Sequence, residues 1–131
     1  MSAVAVRTDK RLAWPVVVAI GCTAFTFVRF RTMLPPPHYG AIGVATTVVL
    51  AVVQEAVFRR FLYAQLERFG PAVAVFVTAA LFALFHVPRY GWGVLPIDFA
   101  AGLIFSWQRY ATGSWTAPAA THVFANLVSL W

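Results

Sequence analysis

Residues 69–88 read FGPAVAVFVTAALFALFHVP, a run of 20 residues without Asp, Glu, Lys or Arg. An α-helix rises 1.5 Å per residue, so a helix of about this length crosses the roughly 30 Å hydrocarbon core of a bilayer. The run also lacks the two-residue alternation of a membrane β-strand. This stretch therefore predicts a membrane-spanning α-helix, and it sets the fold class.

The composition of the whole chain extends this prediction. Of its 131 residues, 61% are hydrophobic and 11% are charged, whereas soluble domains have about 25% charged residues. A small soluble globule needs more polar residues to cover its core. A disordered chain is poor in apolar and aromatic residues. The composition therefore excludes both classes and predicts a membrane protein.

The gaps between charged residues divide the chain into spans. Five apolar spans cover residues 12–30, 40–68, 71–88, 94–110 and 115–131. Residues that end helices separate them: Pro35–Pro37, Gly70-Pro71, Pro88 and Thr112-Gly113-Ser114. We therefore predict an all-α, polytopic membrane helix bundle. Residues 1–38 form an N-terminal segment with an anchor helix and a Pro-rich loop, and residues 39–131 form the core.

The distribution of Lys and Arg predicts the orientation. With the N-terminus inside, seven of these residues lie in inner segments and three in outer ones, which favours an N-in protein of the cytoplasmic membrane. The first span also has features of a signal peptide. Its 17 uncharged residues, with no A-x-A site soon after them, favour an uncleaved anchor. The cations form no basic face, so no nucleic-acid partner is predicted.

Several polar residues interrupt the spans. They are Gln54, Glu55, Arg59 and Arg60 in the second span, His86 in the third, and His122 and Asn126 in the fifth. An ionisable group inside a bilayer costs about 2.5–3.5 kcal/mol on insertion scales and usually marks a functional site.

The spacing of these residues predicts a shared pocket. Glu55 lies 15 residues before the glycine of the turn between the second and third spans, and His86 lies 16 residues after it. Both side chains are thus at about the same depth, roughly 22–24 Å from the turn. A four-residue spacing also puts Glu55 with Arg59, and His122 with Asn126, on single helix faces. We expect one polar pocket between the helices.

Three of these segments carry a family resemblance. QEAVFR at 54–59, FALFH at 82–86 and HVFAN at 122–126 resemble the EExxxR, FxxxH and HxxxN/D motifs of the CPBP intramembrane proteases, also called Abi or CAAX-protease-like. The resemblance covers about residues 40–131 and implies a four-helix catalytic core. It also implies an endopeptidase that uses activated water to cleave a membrane-associated, lipidated or sorting-signal-bearing protein.

The resemblance implies a role for each motif residue. Water is held between His86 and either Glu55 or Gln54, while His122 and Asn126 stabilise the oxyanion of the tetrahedral intermediate. Arg59 holds Glu55 in place, and Phe82 of the second motif supports the site by packing.

The first motif departs from the family pattern, because Gln54 stands where the family has its first Glu. An amide is no useful general base, and loss of such a base costs about 10²–10⁴-fold in rate. Three interpretations remain open. Glu55 and Arg59 form the structural pair and the base is missing, the register shifts so that Arg60 is the motif Arg, or Glu55 itself serves as base.

A metal mechanism is a separate alternative. Two histidines and a glutamate, His86, His122 and Glu55, match a zinc ligand set. HExxH is absent, and the two histidines lie 36 residues apart on different helices. We therefore expect metal-free water activation, with zinc or another divalent metal as the alternative.

Two other function classes compete with the protease. Gln54 supports a catalytically impaired pseudoprotease that acts as a membrane scaffold or immunity-type protein. A His/Glu proton path would instead serve a small transporter or channel subunit. The expected partners are the lipid bilayer and a membrane-associated protein or peptide substrate, and the sequence determines no oligomeric state.

Overall fold

The computed structural model describes residues 11–32 and 40–130. Within these residues the chain is helical and has no strand, and the predicted all-α bundle is confirmed. The main helices are α1 (Trp14–Thr32), α2 (Ala41–Glu55), α3 (Tyr63–Leu66), α4 (Pro71–Tyr90), α5 (Leu95–Thr112) and α6 (Thr116–Val128). The predicted break at Pro35–Pro37 lies outside the described residues, and the division at residue 38 stays a prediction.

The second span is one continuous helix, Ala41–Phe69, with an irregular centre. A π-helical segment, Ala56–Leu62, joins α2 to α3, and a 3-10 turn, Glu67–Phe69, ends the helix. Single π turns in α-helices often occur at functional sites. Here the π-helical segment begins directly after Glu55 and carries Arg59.

The turn between the second and third spans is made by the predicted glycine and proline. Gly70 has φ +110°, a conformation that side chains disfavour, and Pro71 begins α4 at a position where its missing N–H costs no helix hydrogen bond. The two long helices therefore leave this turn as antiparallel neighbours.

The predicted end of the third span at Pro88 is wrong by two residues. The helix α4 continues through Pro88 to Tyr90, and the chain leaves it at Gly91, whose φ is +80°. Proline removes only one backbone donor, and Gly91 N–H still reaches the Val87 carbonyl at 2.8 Å. One missing hydrogen bond near the end of the helix is thus tolerated.

Close packing of α4 against α5 holds the centre of the bundle together. A Cβ on Gly102 would lie 2.9 Å from the Cα of Ala79, so glycine allows the two backbones to approach. The hydroxyls of Thr78 and Ser106 lie 2.8 Å apart in the same interface, and both residues are fully buried. These contacts set the register of α5 along α4.

A buried amide joins α1 to the rest of the bundle. Gln108 Nε2 on α5 donates hydrogen bonds to the Val17 carbonyl at 3.1 Å and to Thr121 Oγ1 at 2.9 Å. Gly21 makes room for this amide, because a Cβ at that position would overlap Gln108 Nε2. The amide thus links α1, α5 and α6.

The distribution of polarity is reversed relative to a soluble protein. Fully buried polar or charged side chains include Glu55, Arg59, Thr78, Ser106, Gln108 and Thr121. Exposed large apolar side chains include Val49, Phe61, Phe76 and Phe85. Lipid covers such an exterior, while polar groups in a bilayer require partners inside the protein. In the described part of the chain, two helices, Ala41–Phe69 and Pro71–Tyr90, are long and apolar enough to cross a membrane. The chain is a membrane protein.

Candidate active site

The buried centre of the site is an ion pair on the second span. Arg59 Nη1 donates to Glu55 Oε1 at 3.2 Å, and both side chains are fully buried. Arg59 Nη2 also donates to the Gly102 carbonyl at 3.0 Å, which ties the span to α5. The four-residue spacing predicted that Glu55 and Arg59 share a face, and the structure brings them into contact.

The same carboxylate oxygen binds a histidine of α6. His122 Nδ1 donates to Glu55 Oε1 at 2.9 Å, and the imidazole stacks on Phe105 with ring centroids 4.8 Å apart. The second carboxylate oxygen, Glu55 Oε2, is buried and has no hydrogen-bond partner among the described residues. Glu55 therefore orients Arg59 and His122 through one oxygen and retains a second acceptor.

An aromatic cluster surrounds these charges. The Phe82 ring centroid lies 4.6 Å from Arg59 Cζ, 4.6 Å from the His86 ring centroid and 5.6 Å from the His122 ring centroid. The Phe105 ring meets Phe82 edge to face at 5.8 Å. The guanidinium thus interacts with ring faces as well as with the carboxylate, and Phe82 contacts both histidines of the motifs.

His86 makes its hydrogen bond within its own helix. Its Nδ1 donates to the Phe82 carbonyl at 2.8 Å, and within the described residues its hydrogen bonding uses Nδ1 and not Nε2. The depth calculation placed His86 level with Glu55, but no hydrogen bond joins them in the described part of the chain. Phe82 connects the two residues. Its ring contacts His86, and it also contacts Arg59 and His122, which are the two partners of Glu55.

Asp98 is a candidate site residue that the sequence reasoning missed. Its Oδ2 lies 3.6 Å from His86 Nδ1, and the two side chains are 18% and 14% exposed, respectively. A depth count would have found this pair, because His86 lies five residues before the turn at Gly91 and Asp98 lies seven residues after it. Asp98 lies inside the predicted fourth span, 94–110, but it was not among the candidate residues predicted from the sequence.

Gln54 and Asn126 are not joined to this network by hydrogen bonds. Gln54 is half-buried at the end of α2, and Asn126 is half-buried one turn after His122 on α6. Neither side chain has a hydrogen-bond partner among the described residues. Their predicted roles remain predictions.

The three predicted metal ligands are only partly in contact. Glu55 Oε1 and His122 Nδ1 are hydrogen-bonded to each other, whereas His86 Nδ1 is bonded to the Phe82 carbonyl. In residues 11–32 and 40–130, no group of three His, Cys, Asp or Glu side chains is arranged to hold a metal ion. Metal-free water activation and the metal alternative both stay predictions.

The chain matches a known protein family, but it has no significant match among curated proteins or among solved structures. A family model, described as type II CAAX prenyl endopeptidase Rce1-like, matches residues 36–128, well over half of the chain. That range contains all three motifs and every site residue described above, and the predicted resemblance to the CAAX-protease-like proteins is confirmed. The chain belongs to the Rce1-like family of type II CAAX prenyl endopeptidases.

Proposed function

We propose that this chain is an intramembrane endopeptidase that cleaves a peptide bond of a membrane-associated protein with a water molecule. Family membership supports the reaction class. The observation that carries the proposal is the buried contact of Glu55 with both Arg59 and His122. Burial of three ionisable groups is costly unless they are paired, and such groups in membrane proteins mark functional sites.

His86 is the base in this mechanism. Because Nδ1 donates to the Phe82 carbonyl, the neutral ring carries its lone pair on Nε2. Nε2 takes a proton from water, and the resulting hydroxide attacks the carbonyl carbon of the scissile bond. The free acceptor of Glu55, Oε2, is suited to receive the second O–H of that water.

His122 and Asn126 stabilise the oxyanion that forms. A protonated His122 keeps Nδ1–H on Glu55 and has Nε2–H to donate, and the Asn126 amide supplies a second N–H. Such donors act strongly in a site of low dielectric. The intermediate collapses when the C–N bond breaks and the His86 imidazolium returns its proton to the leaving amine. The products are a carboxylic acid and an amine, and transfer of the acid proton to the amine leaves a carboxylate and an ammonium group.

The substrate class follows from the membrane location and the family. We propose a lipidated or sorting-signal-bearing protein that presents its cleavage site at the membrane. We also propose the N-in orientation, because it puts most Lys and Arg residues inside.

A comparison of protein termini tests this function. The proteome of the source cell is compared between the wild type, His86→Ala and the matched control Arg89→Ala, an exposed position on the same helix. We expect new termini with the wild type and Arg89→Ala and none with His86→Ala. Identical termini in all three, with His86→Ala stably expressed, would contradict the protease.

Gln54 supports a second candidate, a scaffold that keeps the fold without turnover. The same comparison separates the two, because a scaffold produces no new termini in any variant. A scaffold would still bind its membrane partner when His86 is replaced.

A further inference from the structure

We propose that Asp98 of α5 is a positioning residue for His86. The inference rests on the proposed protease function and adds a residue to it, because Asp98 would hold and stabilise the base.

The side chains of Asp98 and His86 are in contact. Asp98 Oδ2 lies 3.6 Å from His86 Nδ1, beyond an ordinary hydrogen bond but within the range of an ion pair. Oδ2 is buried and has no hydrogen-bond partner among the described residues. A buried carboxylate oxygen without a donor is costly, and the His86 ring offers the compensating charge once it is protonated.

Asp98 also lies in the first turn of α5, where a negative charge interacts favourably with the helix dipole. Its Oδ2, however, accepts no hydrogen bond from a backbone N–H of that turn among the described residues. This oxygen therefore does not cap the helix and is left to the contact with His86.

The backbone holds the pair in register. His86 lies eight residues after Thr78, and Asp98 lies eight residues before Ser106. The Thr78–Ser106 contact and the His86–Asp98 contact therefore belong to one interface between α4 and α5. Close packing of Gly102 on Ala79 restrains this interface, so the carboxylate has little freedom to leave the ring.

The other carboxylate of the site is engaged elsewhere. Glu55 binds Arg59 and His122, and Gln54 carries no charge. Asp98 is therefore the carboxylate in contact with His86 among the described residues.

The chemistry resembles the role of the aspartate in a Ser-His-Asp triad. There a buried carboxylate orients the imidazole and stabilises the imidazolium without taking the proton. Here the water proton goes to Nε2, the positive ring keeps Nδ1–H between the Phe82 carbonyl and Asp98, and the proton later leaves with the amine. Asp98 lowers the energy of the charged ring and is unchanged at the end of the cycle.

The test uses the full-length protein in liposomes with a membrane-tethered peptide that carries a cleavage site found by the comparison of termini. We expect Asp98→Asn to lower kcat about a hundredfold, at the lower end of acid–base effects, with KM within about twofold. Asp98→Glu should keep activity within about tenfold of wild type, because it restores the charge. The control Ile97→Ala, at an exposed neighbouring position, should leave kcat unchanged.

Thermal unfolding in detergent shows whether each variant is folded. If Asp98→Asn does not fold, the kcat and KM of Asp98→Glu decide the test.

The outcomes separate the two proposals. If the wild type cleaves no substrate, the protease function fails and the role of Asp98 fails with it. If the wild type cleaves and folded Asp98→Asn cleaves at the wild-type kcat, only the role of Asp98 is overturned.

Discussion

The carboxylate of Glu55 lies 2.9 Å from Nδ1 of His122, although 67 residues separate them in sequence. The contact joins the end of α2 to the middle of α6, and the same oxygen of Glu55 also accepts from Arg59. A fully buried carboxylate thus connects the first and third sequence motifs. Because these groups are shielded from water, the loss of one partner strongly affects the others.

Neutralising Glu55 tests this coupling. We expect Glu55→Gln to lower the free energy of unfolding by about 3–5 kcal/mol, since it leaves the buried Arg59 charge without its counter-ion. Chemical unfolding in detergent micelles measures the change. The control Glu67→Gln removes a half-exposed carboxylate from the same long helix, 4.0 Å from Arg109, and should cost at most about 1 kcal/mol. Equal losses in the two variants would contradict a buried ion pair at Glu55.

Enlarging Gly102 tests the packing that positions the site. A Cβ at this position would meet the Ala79 backbone at 2.9–3.0 Å, so we expect Gly102→Ala to destabilise the protein by about 1–3 kcal/mol. It should also lower proteolytic activity, because Gly102 carries the carbonyl that binds Arg59. Thermal unfolding and the cleavage assay measure the two effects.

The matched control is Gly93→Ala. Among the described residues, apart from the two chain neighbours, no atom lies within 4 Å of a Cβ at Gly93, so this variant should unfold and cleave like the wild type. If Gly102→Ala also behaved like the wild type, α4 and α5 would not approach as closely as the structure shows.

Much of this fold was predictable from the sequence, because charge-free runs of about 20 residues bounded by Gly and Pro specify helices directly. The contact between Glu55 and Arg59 was predictable too, since both lie on one helix. The π-helical segment was not, because Ala56–Leu62 carries no residue that distinguishes it from an ordinary turn.

The contacts between helices were harder to predict. The depth count paired Glu55 with His86 across the turn that joins their helices, but depth does not determine which face each helix presents. Packing of α6 against α2 brought His122 to Glu55 instead. The pairing of His86 with Asp98 followed the same depth rule at the next turn.

Removal of the oxyanion donors gives a kinetic prediction. We expect His122→Ala and Asn126→Ala each to lower kcat about 10²–10³-fold with little change in KM, because the donors act mainly on the charge of the transition state. Initial rates over a range of substrate concentrations separate the two parameters. Ser129→Ala, at an exposed position on the next turn, should keep the wild-type kcat. A rise in KM without a fall in kcat would place His122 or Asn126 in substrate binding.

Restoring the carboxylate of the first motif distinguishes the remaining interpretations of Gln54. The Gln54 side chain is half-buried and has no hydrogen-bond partner in the described part of the chain. Since glutamine and glutamate have nearly the same shape, Gln54→Glu mainly adds a negative charge. If Asp98 already serves His86, we expect Gln54→Glu alone to raise kcat by less than about tenfold, because the wild type retains a working base. A pseudoprotease would instead show no cleavage until Gln54→Glu is introduced. Cleavage of the same peptide by the wild type and Gln54→Glu, at equal amounts of folded protein, decides between these outcomes.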